Sequence, residues 1–158
     1  RIENPRTESD WLSRDEKVVD DFKNDPLCDF IFTVDGFKAL LTLVREDCDD
    51  RTAHKVPKEL PIYILSGAED PVGQYGEGVM KTYEQYKQAG IENLQVKIYP
   101  EMRHEILNEL GKEEVYEDIL RWTEERISEY AQENDESDTE NDDASDSQMD
   151  VEADSQEE

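Results

Sequence analysis

Apolar and polar residues follow one another along the chain in a pattern that predicts two strands joined through a helix. Residues 62–65 are all apolar, which is typical of a parallel strand that helices cover on both faces. Residues 94–99 alternate between apolar and polar side chains, which indicates a strand nearer the rim of a sheet. The helix predicted between them presents Val79, Tyr83 and Tyr86 on one face.

Three further helices are predicted around this unit. Residues 13–16 have the form of a capping box that starts the first helix, and Pro26 ends it because the residue before a proline is pushed out of the helical region. Thr33 is the expected N-cap of the second helix, and residues 113–131 form the last one. The apolar stripes are Phe37, Leu40, Leu41 and Val44 in the second helix, and Tyr116, Ile119, Leu120, Thr123, Ile127 and Tyr130 in the last.

The predicted fold class is α/β, with parallel strands and crossover helices, because a helix-containing connection of this length normally joins parallel strands. Two strands make a poor sheet, and a strand that is apolar on both faces needs neighbours. We therefore expect the rest of the sheet to precede Arg1, in a longer polypeptide of which this chain is the C-terminal part. The chain alone is expected to be unstable or prone to aggregation.

The charge of the chain is concentrated at its C-terminal end. The net charge is −26, and residues 132–158 hold thirteen Asp and Glu with no Lys or Arg, which leaves −26 + 13 = −13 for residues 1–131. Residues 132–158 contain no aromatic side chain and are predicted to be disordered, because they cannot bury enough apolar surface to offset the entropy of ordering. Since no part of the chain has a basic footprint, a nucleic-acid partner is not expected.

The remaining composition gives no sign of a metal or a cofactor. Cys28 and Cys48 lack metal-type spacing, and the absence of a disulfide framework favours a reducing, cytoplasmic location. His54 lies in a polar connector and is expected to be solvated. The glycines of residues 73–78 follow a strand but do not have the spacing of a nucleotide-binding loop. No apolar run has the length of a membrane span.

Asp70 and His104 each lie a few residues past the end of a predicted strand. Taken singly, an Asp before a proline is usually a turn former, and a loop histidine is usually solvated. Because parallel strands leave the sheet at the same edge, the two side chains are expected to meet where α/β sheets bind ligands. Asp followed by His is also the order of the last two members of the Ser…Asp…His triad in α/β-hydrolases.

Four segments strengthen this interpretation: residues 6–15 (RTESDWLSRD), 25–28 (DPLC), 66–73 (SGAEDPVG) and 99–109 (YPEMRHEILNE). Together they resemble the C-terminal part of the lysophospholipase and monoacylglycerol-lipase-like α/β-hydrolases, a group often placed under the serine aminopeptidase S33 label. The resemblance covers residues 6–126, and the two strand-end turns are its most specific parts.

The resemblance implies that Asp70 is the acid and His104 the base of a catalytic triad. Separately, Val72 is expected to line the acyl or leaving-group pocket beside Asp70. Residues 1–56 would be the end of a helical lid and the return to the core, residues 57–131 the C-terminal part of the catalytic domain, and 132–158 an acidic tail. The Gly-x-Ser-x-Gly elbow is expected to precede Arg1, so the chain alone should be inactive. No metal or cofactor is implied.

The expected function is that of a serine hydrolase that cleaves carboxylic esters of lipid-like substrates together with the N-terminal part of the same hydrolase. Two alternatives stay open. The same fold with Asp at the elbow would be a dehalogenase or an epoxide hydrolase. A non-catalytic binding protein could instead use the acidic tail as its interaction element.

Overall fold

The computed structural model describes residues 2–28 and 30–152; for residue 50 and residues 133–152 it describes the backbone alone. The elements, in chain order, are α1 (Glu16–Asn24), α2 (Val34–Asp47), α3 (Asp50–Ala53), β1 (Ile62–Gly67), α4 (Glu77–Gln88), β2 (Leu94–Tyr99), a 3₁₀ turn (Ile106–Asn108) and α5 (Lys112–Glu152). They fall into two structural units, one ending at Val115 and the other starting at Tyr116.

The two strands are parallel, as predicted, and α4 is the crossover between them. The register pairs Ile62 with Leu94 at one end and Gly67 with Tyr99 at the other. Strand β1 is two residues longer than its apolar run, because Ser66 and Gly67 stay in the ladder. The mixed α/β architecture with parallel strands confirms the predicted fold class. Among the described residues the sheet has these two strands.

The first unit has a small core that several elements and connections contribute to. Its buried apolar residues are Leu12, Val19, Ala53, Ala89, Ile91, Tyr99, Met102 and Val115. Strand β1 contributes little to it, since residues 62–65 are half-buried despite being apolar. Helix α3, which lies in the segment predicted to be a polar connector, supplies Ala53. Tyr99 and Met102 thus lie at the end of β2 and in the turn that follows it, whereas Ala89 and Ile91 lie in the connection that precedes β2.

The helix caps agree with the sequence at α2 and differ at α1. Thr33 caps α2, where its hydroxyl accepts a hydrogen bond from the Gly36 backbone N–H at 3.1 Å. Helix α1 is capped by Asp15, which accepts from the Lys17 N–H, and not by Ser13. The Ser13 hydroxyl donates to the Asn108 carbonyl at 3.1 Å instead. The same hydroxyl accepts from the Asp15 N–H at 3.0 Å, so it binds the backbone of the capping residue and not that of the helix.

Helix α5 presents its predicted apolar stripe to solvent. Tyr116, Leu120, Ile127 and Tyr130 are exposed, whereas Asp118 is buried. The backbone of α5 is helical as far as Glu152. The side chains after residue 132 and all of residues 153–158 lie outside the described residues, so disorder there stays a prediction.

Across the described part of the chain, no helix combines the length and apolar character needed to cross a bilayer. The cytoplasmic location is not tested by the fold and stays a prediction.

Candidate active site

The carboxylate of Asp70 is held in the turn that follows β1. The backbone N–H of Asp70 donates to the Gly67 carbonyl at 3.3 Å, and its own carbonyl accepts from the Tyr75 N–H at 2.8 Å. One carboxylate oxygen, Oδ1, accepts from the Val72 N–H at 2.8 Å. The side chain is 8% exposed. The turn therefore fixes the carboxylate and leaves Oδ2 for a second partner.

That second partner is the imidazole of His104, in the turn that follows β2. His104 Nδ1 lies 3.0 Å from Asp70 Oδ2, which confirms that the two strand ends bring these side chains together. The imidazole is 37% exposed, much more than the carboxylate. Its ring also lies beside the Trp11 ring, with 5.0 Å between the ring centroids and the planes tilted by 51°. The pair consists of a buried acid and an accessible base.

This contact assigns different functions to the two ring nitrogens. An ionised carboxylate only accepts hydrogen bonds, so Nδ1 carries the proton that it shares with Asp70. Nε2 of neutral His104 is then the nitrogen that can accept a proton from another group. A histidine held in this tautomer, with its ring accessible, can act as a general base and afterwards return the proton as a general acid.

The two turns that carry the pair are joined through their backbones. The Ala68 N–H donates to the Tyr99 carbonyl and the Glu69 N–H to the Met102 carbonyl, each at 2.8 Å. Gly67 allows this close approach, because a Cβ at its position would lie 2.2 Å from the carbonyl oxygens of Met102 and Arg103. The turn after β1, which carries Asp70 (the acid turn), and the turn after β2, which carries His104 (the base turn), are thus joined by backbone hydrogen bonds at the edge of the sheet.

A segment near the N-terminus braces the base turn from the other side. The backbone N–H of His104 donates to the Trp11 carbonyl at 3.4 Å, and that of Glu105 donates to the Leu12 carbonyl at 2.8 Å. The Arg103 guanidinium donates to the carbonyls of Ser13, at 3.0 Å, and Asp10. The sequence placed residues 6–15 in a lid and gave no sign that they hold the turn that carries His104.

The carboxylate of Asp10 anchors this bracing segment. It accepts from the Thr7 hydroxyl at 2.6 Å and from the Arg6 backbone N–H. Burial on its own would raise the pKa of Asp10, but the hydrogen bonds from Thr7 and Arg6 outweigh it, so the pKa is lowered. Asp10 is therefore ionised at neutral pH and available to order the segment.

Glu109 is a further buried carboxylate that sequence reasoning did not identify as part of the site. It is 2% exposed and accepts hydrogen bonds from the Arg14 and Leu110 backbones, from the Arg14 side chain and from the Arg103 backbone. The one signal in the sequence is that Glu109, next to Asn108, lies between the apolar residues Leu107 and Leu110. Charged residues are rarely buried, so that signal is weak without the structure.

Val72 contributes its backbone N–H to Asp70, while its side chain is 62% exposed. Its predicted role in lining the substrate pocket is untested. A cavity of about 330 Å³ is lined in part by Trp11, whose ring lies against that of His104, by Pro71, which follows Asp70 in the chain, and by Tyr75. A second cavity of about 460 Å³ shares Trp11 and is lined by Phe22, Leu27, Cys28, Phe30 and Phe32 among others. Neither cavity is lined by His54 or Cys48.

Cys28 is half-buried and Cys48 exposed, both as free thiols. In the part of the chain that the structure describes, no three His, Cys, Asp or Glu side chains are grouped so that they could hold a metal ion. The pair formed by Asp70 and His104 is therefore the arrangement in the described residues that can carry out acid–base chemistry.

Residues 2–111 match the family model described as serine aminopeptidase, S33. Two solved structures are similar in fold. A highly thermostable carboxyl esterase from Bacillus coagulans, solved in complex with glycerol, is 37% identical with a TM-score of 0.73, over 78% of this chain and 41% of the esterase. A lipase in an open form is 26% identical with a TM-score of 0.68, over 76% of this chain and 39% of the lipase. The chain thus spans about two fifths of the length of each.

Proposed function

Because this chain belongs to the serine aminopeptidase S33 family, which has the α/β-hydrolase fold, we propose that Asp70 and His104 are the acid and the base of a Ser–His–Asp triad. The protein that contains the chain is then an ester hydrolase. The observation that supports this proposal best is the 3.0 Å contact between His104 Nδ1 and Asp70 Oδ2 at the common edge of two parallel strands.

The proposed reaction is acyl transfer through a serine ester. His104 Nε2 takes the proton of the serine hydroxyl as its oxygen attacks the ester carbonyl carbon, and Asp70 stabilises the imidazolium that forms. The imidazolium then gives the proton to the departing alcohol as the bond from carbon to the leaving oxygen breaks. Water repeats the attack on the acyl-enzyme with the same base, which releases the acid and regenerates the serine.

The nucleophile is proposed to come from the N-terminal part of the same hydrolase, before Arg1. The sequence contains no Gly-x-Ser-x-Gly elbow, and the two similar hydrolases are more than twice as long as the part that this chain matches. The oxyanion donors, which in this fold come from the residue after the serine and from an earlier loop, are proposed to lie in the same segment.

The proposed substrates are carboxylic esters with an apolar, lipid-like acyl group. The support is the aromatic and aliphatic lining of the two cavities that meet at Trp11, since pockets lined by such side chains bind apolar groups. Trp11 also lies against the His104 ring, so a chain bound along it would end near the base.

The test is ester hydrolysis by the full-length protein. We expect turnover of p-nitrophenyl esters, with kcat/KM rising from acetate to longer acyl chains, and covalent labelling by a fluorophosphonate probe. Residues 1–158 alone should show neither. Turnover of epoxides or haloalkanes without ester cleavage, or probe labelling of residues 1–158 alone, would contradict the proposed triad.

A further inference from the structure

The buried carboxylate of Glu109 has all of its hydrogen-bonding capacity in use. Oε1 accepts from the backbone N–H groups of Arg14, at 2.8 Å, and Arg103, at 2.9 Å. Oε2 accepts from Arg14 Nε at 3.0 Å and from the Leu110 N–H at 2.8 Å. A carboxylate offers about four acceptor sites, so this one is saturated. The Arg14 guanidinium also balances its charge, which makes burial of the carboxylate tolerable.

The donors of these bonds belong to the two segments that hold the catalytic base. The Arg103 peptide N–H immediately precedes His104 in the chain. Arg14 follows the segment whose Trp11 and Leu12 carbonyls accept from the backbone of the base turn. A single carboxylate therefore joins the base turn to the segment that braces it. Its contact in the base turn is the N–H of Arg103, the residue immediately before His104.

We propose that Glu109 is a positioning residue that holds the His104 imidazole at hydrogen-bonding distance from Asp70. It does not contact the imidazole; it acts through the Arg103 peptide and through the segment that ends at Arg14. The consequence for turnover rests on the proposed function, whereas the effect on the contact between Asp70 and His104 does not. A displacement of about 1 Å at a reacting group can lower the rate about 100-fold, so a residue that holds the base in place has a measurable effect on turnover.

The four hydrogen bonds that Glu109 accepts predict that substitution by Ala displaces the base turn more than substitution by Gln. In Glu109→Gln one oxygen can still accept from two N–H groups, but the amide nitrogen turns its own N–H groups toward the other two donors. In Glu109→Ala all four donors lose their acceptor. Unpaired buried donors are costly, so the base turn should relax away from the bracing segment, further in Ala than in Gln.

The experiment uses the full-length protein and measures two quantities. The first is the split between kcat and KM on p-nitrophenyl acetate. In Glu109→Gln we expect kcat to fall about tenfold or more, with KM within about twofold, and in Glu109→Ala a larger fall. The second is the NMR signal of the His104 Nδ1 proton, identified by its loss in His104→Gln. This signal should weaken or exchange faster in Glu109→Gln.

Asp118→Asn is the matched control, because Asp118 is also a buried carboxylate paired with an arginine, Arg121, and is not part of the site. It should lower stability while leaving kcat within about twofold of the parent and the Nδ1 signal unchanged. A purely structural role for Glu109 would make the two variants alike. Unchanged kcat and an unchanged signal in folded Glu109→Gln, or equal losses in Asp118→Asn, would overturn the proposal.

Should Glu109→Gln fail to fold, Arg14→Met provides the test, because it removes one of the four donors and keeps the backbone contact of residue 14. We expect kcat to fall about threefold to tenfold with KM unchanged; an unchanged kcat would overturn the proposal. Should the parent protein not hydrolyse esters, the proposed function fails, and the Nδ1 signal still decides whether Glu109 positions His104.

Discussion

The two carboxylate oxygens of Asp70 have separate partners, and the tautomer of His104 depends on which group faces its Nδ1. Oδ1 is bound to the Val72 N–H and Oδ2 to the imidazole of His104. An asparagine would keep its oxygen on the Val72 N–H and turn its amide N–H toward Nδ1. The imidazole would then be held with its proton on Nε2, the tautomer that cannot accept the proton of a serine.

For this reason Asp70→Asn in the full-length protein should lower kcat for ester hydrolysis by about 10⁴, or roughly 5 kcal/mol of barrier. The measurement is steady-state hydrolysis of a p-nitrophenyl ester. Asp49→Asn is the control, since Asp49 is a carboxylate that pairs with Arg51 outside the site, and it should leave kcat unchanged. A loss below about tenfold in Asp70→Asn would reject the triad assignment.

Gly67 lies where β1 passes closest to the base turn. An alanine Cβ would be 2.2 Å from two backbone oxygens, and backbone cannot move aside as a flexible side chain can. Gly67→Ala should therefore lower the free energy of unfolding of the full-length protein by about 1–3 kcal/mol, and by more if the turn separates from β1. The measurement is the midpoint of urea unfolding.

The matched control for Gly67→Ala is Gly36→Ala in helix α2. A Cβ at Gly36 would approach the Phe32 side chain at 3.1 Å, and that side chain is exposed and can move. Alanine also favours a helix over glycine by about 1 kcal/mol, so this variant should be neutral or slightly stabilising. Equal losses in the two variants would show that close packing at Gly67 is not the cause.

The sequence predicted the residues of the pair but not those that hold them. Asp70 and His104 could be found because each follows a strand, and the topology of parallel strands brings strand ends together. The bracing contacts of Trp11 and Glu109 involve backbone groups more than 90 residues away in the chain. No local pattern encodes such partners, so only the structure reveals them.

Among the elements, those with strong periodicity were predicted best. Strand β2 spans residues 94–99 as expected, and Gly90, with φ of +91°, follows the end of α4. Helix α1 shows why caps are harder to predict: Ser13 is a residue type that caps helices, but its hydroxyl accepts from the Asp15 N–H and donates to the Asn108 carbonyl, and Asp15 caps the helix.

At the start of α2 the local prediction holds and can be tested. Thr33→Ala removes the acceptor of the Gly36 N–H and should weaken the first turn of the helix by about 1 kcal/mol. Amide hydrogen exchange at Gly36 should then be roughly fivefold faster. Thr42→Ala in the same helix is the control, because the Thr42 hydroxyl donates to the Lys38 carbonyl and caps no free N–H. Similar acceleration in both variants would contradict the capping role.

On the scale of the whole molecule, large apolar side chains remain in contact with solvent. Ile31 is 90% exposed and Val34 84%, and the apolar stripes of both α2 and α5 are exposed. Strand β1, apolar throughout residues 62–65, is only half-buried, with β2 as its partner in the described sheet. The sequence predicted this deficit, because an apolar strand requires more neighbours than the described residues supply.

Burial of apolar surface is the main source of folding free energy, at about 25 cal/mol per Å² removed from water. A two-stranded sheet with exposed apolar helices recovers little of it, so residues 1–158 alone should unfold in urea over a broad transition at low denaturant. The same chain should bind a fluorescent dye that detects exposed apolar surface. The measurement is urea unfolding followed by circular dichroism, with the full-length protein as the control. The full-length protein should give a steep transition at higher urea, because the proposed N-terminal part would cover these surfaces. A cooperative, reversible transition of residues 1–158 at the same urea concentration as the full-length protein would show that the described contacts suffice for stability, and that the exposed stripes need no partner.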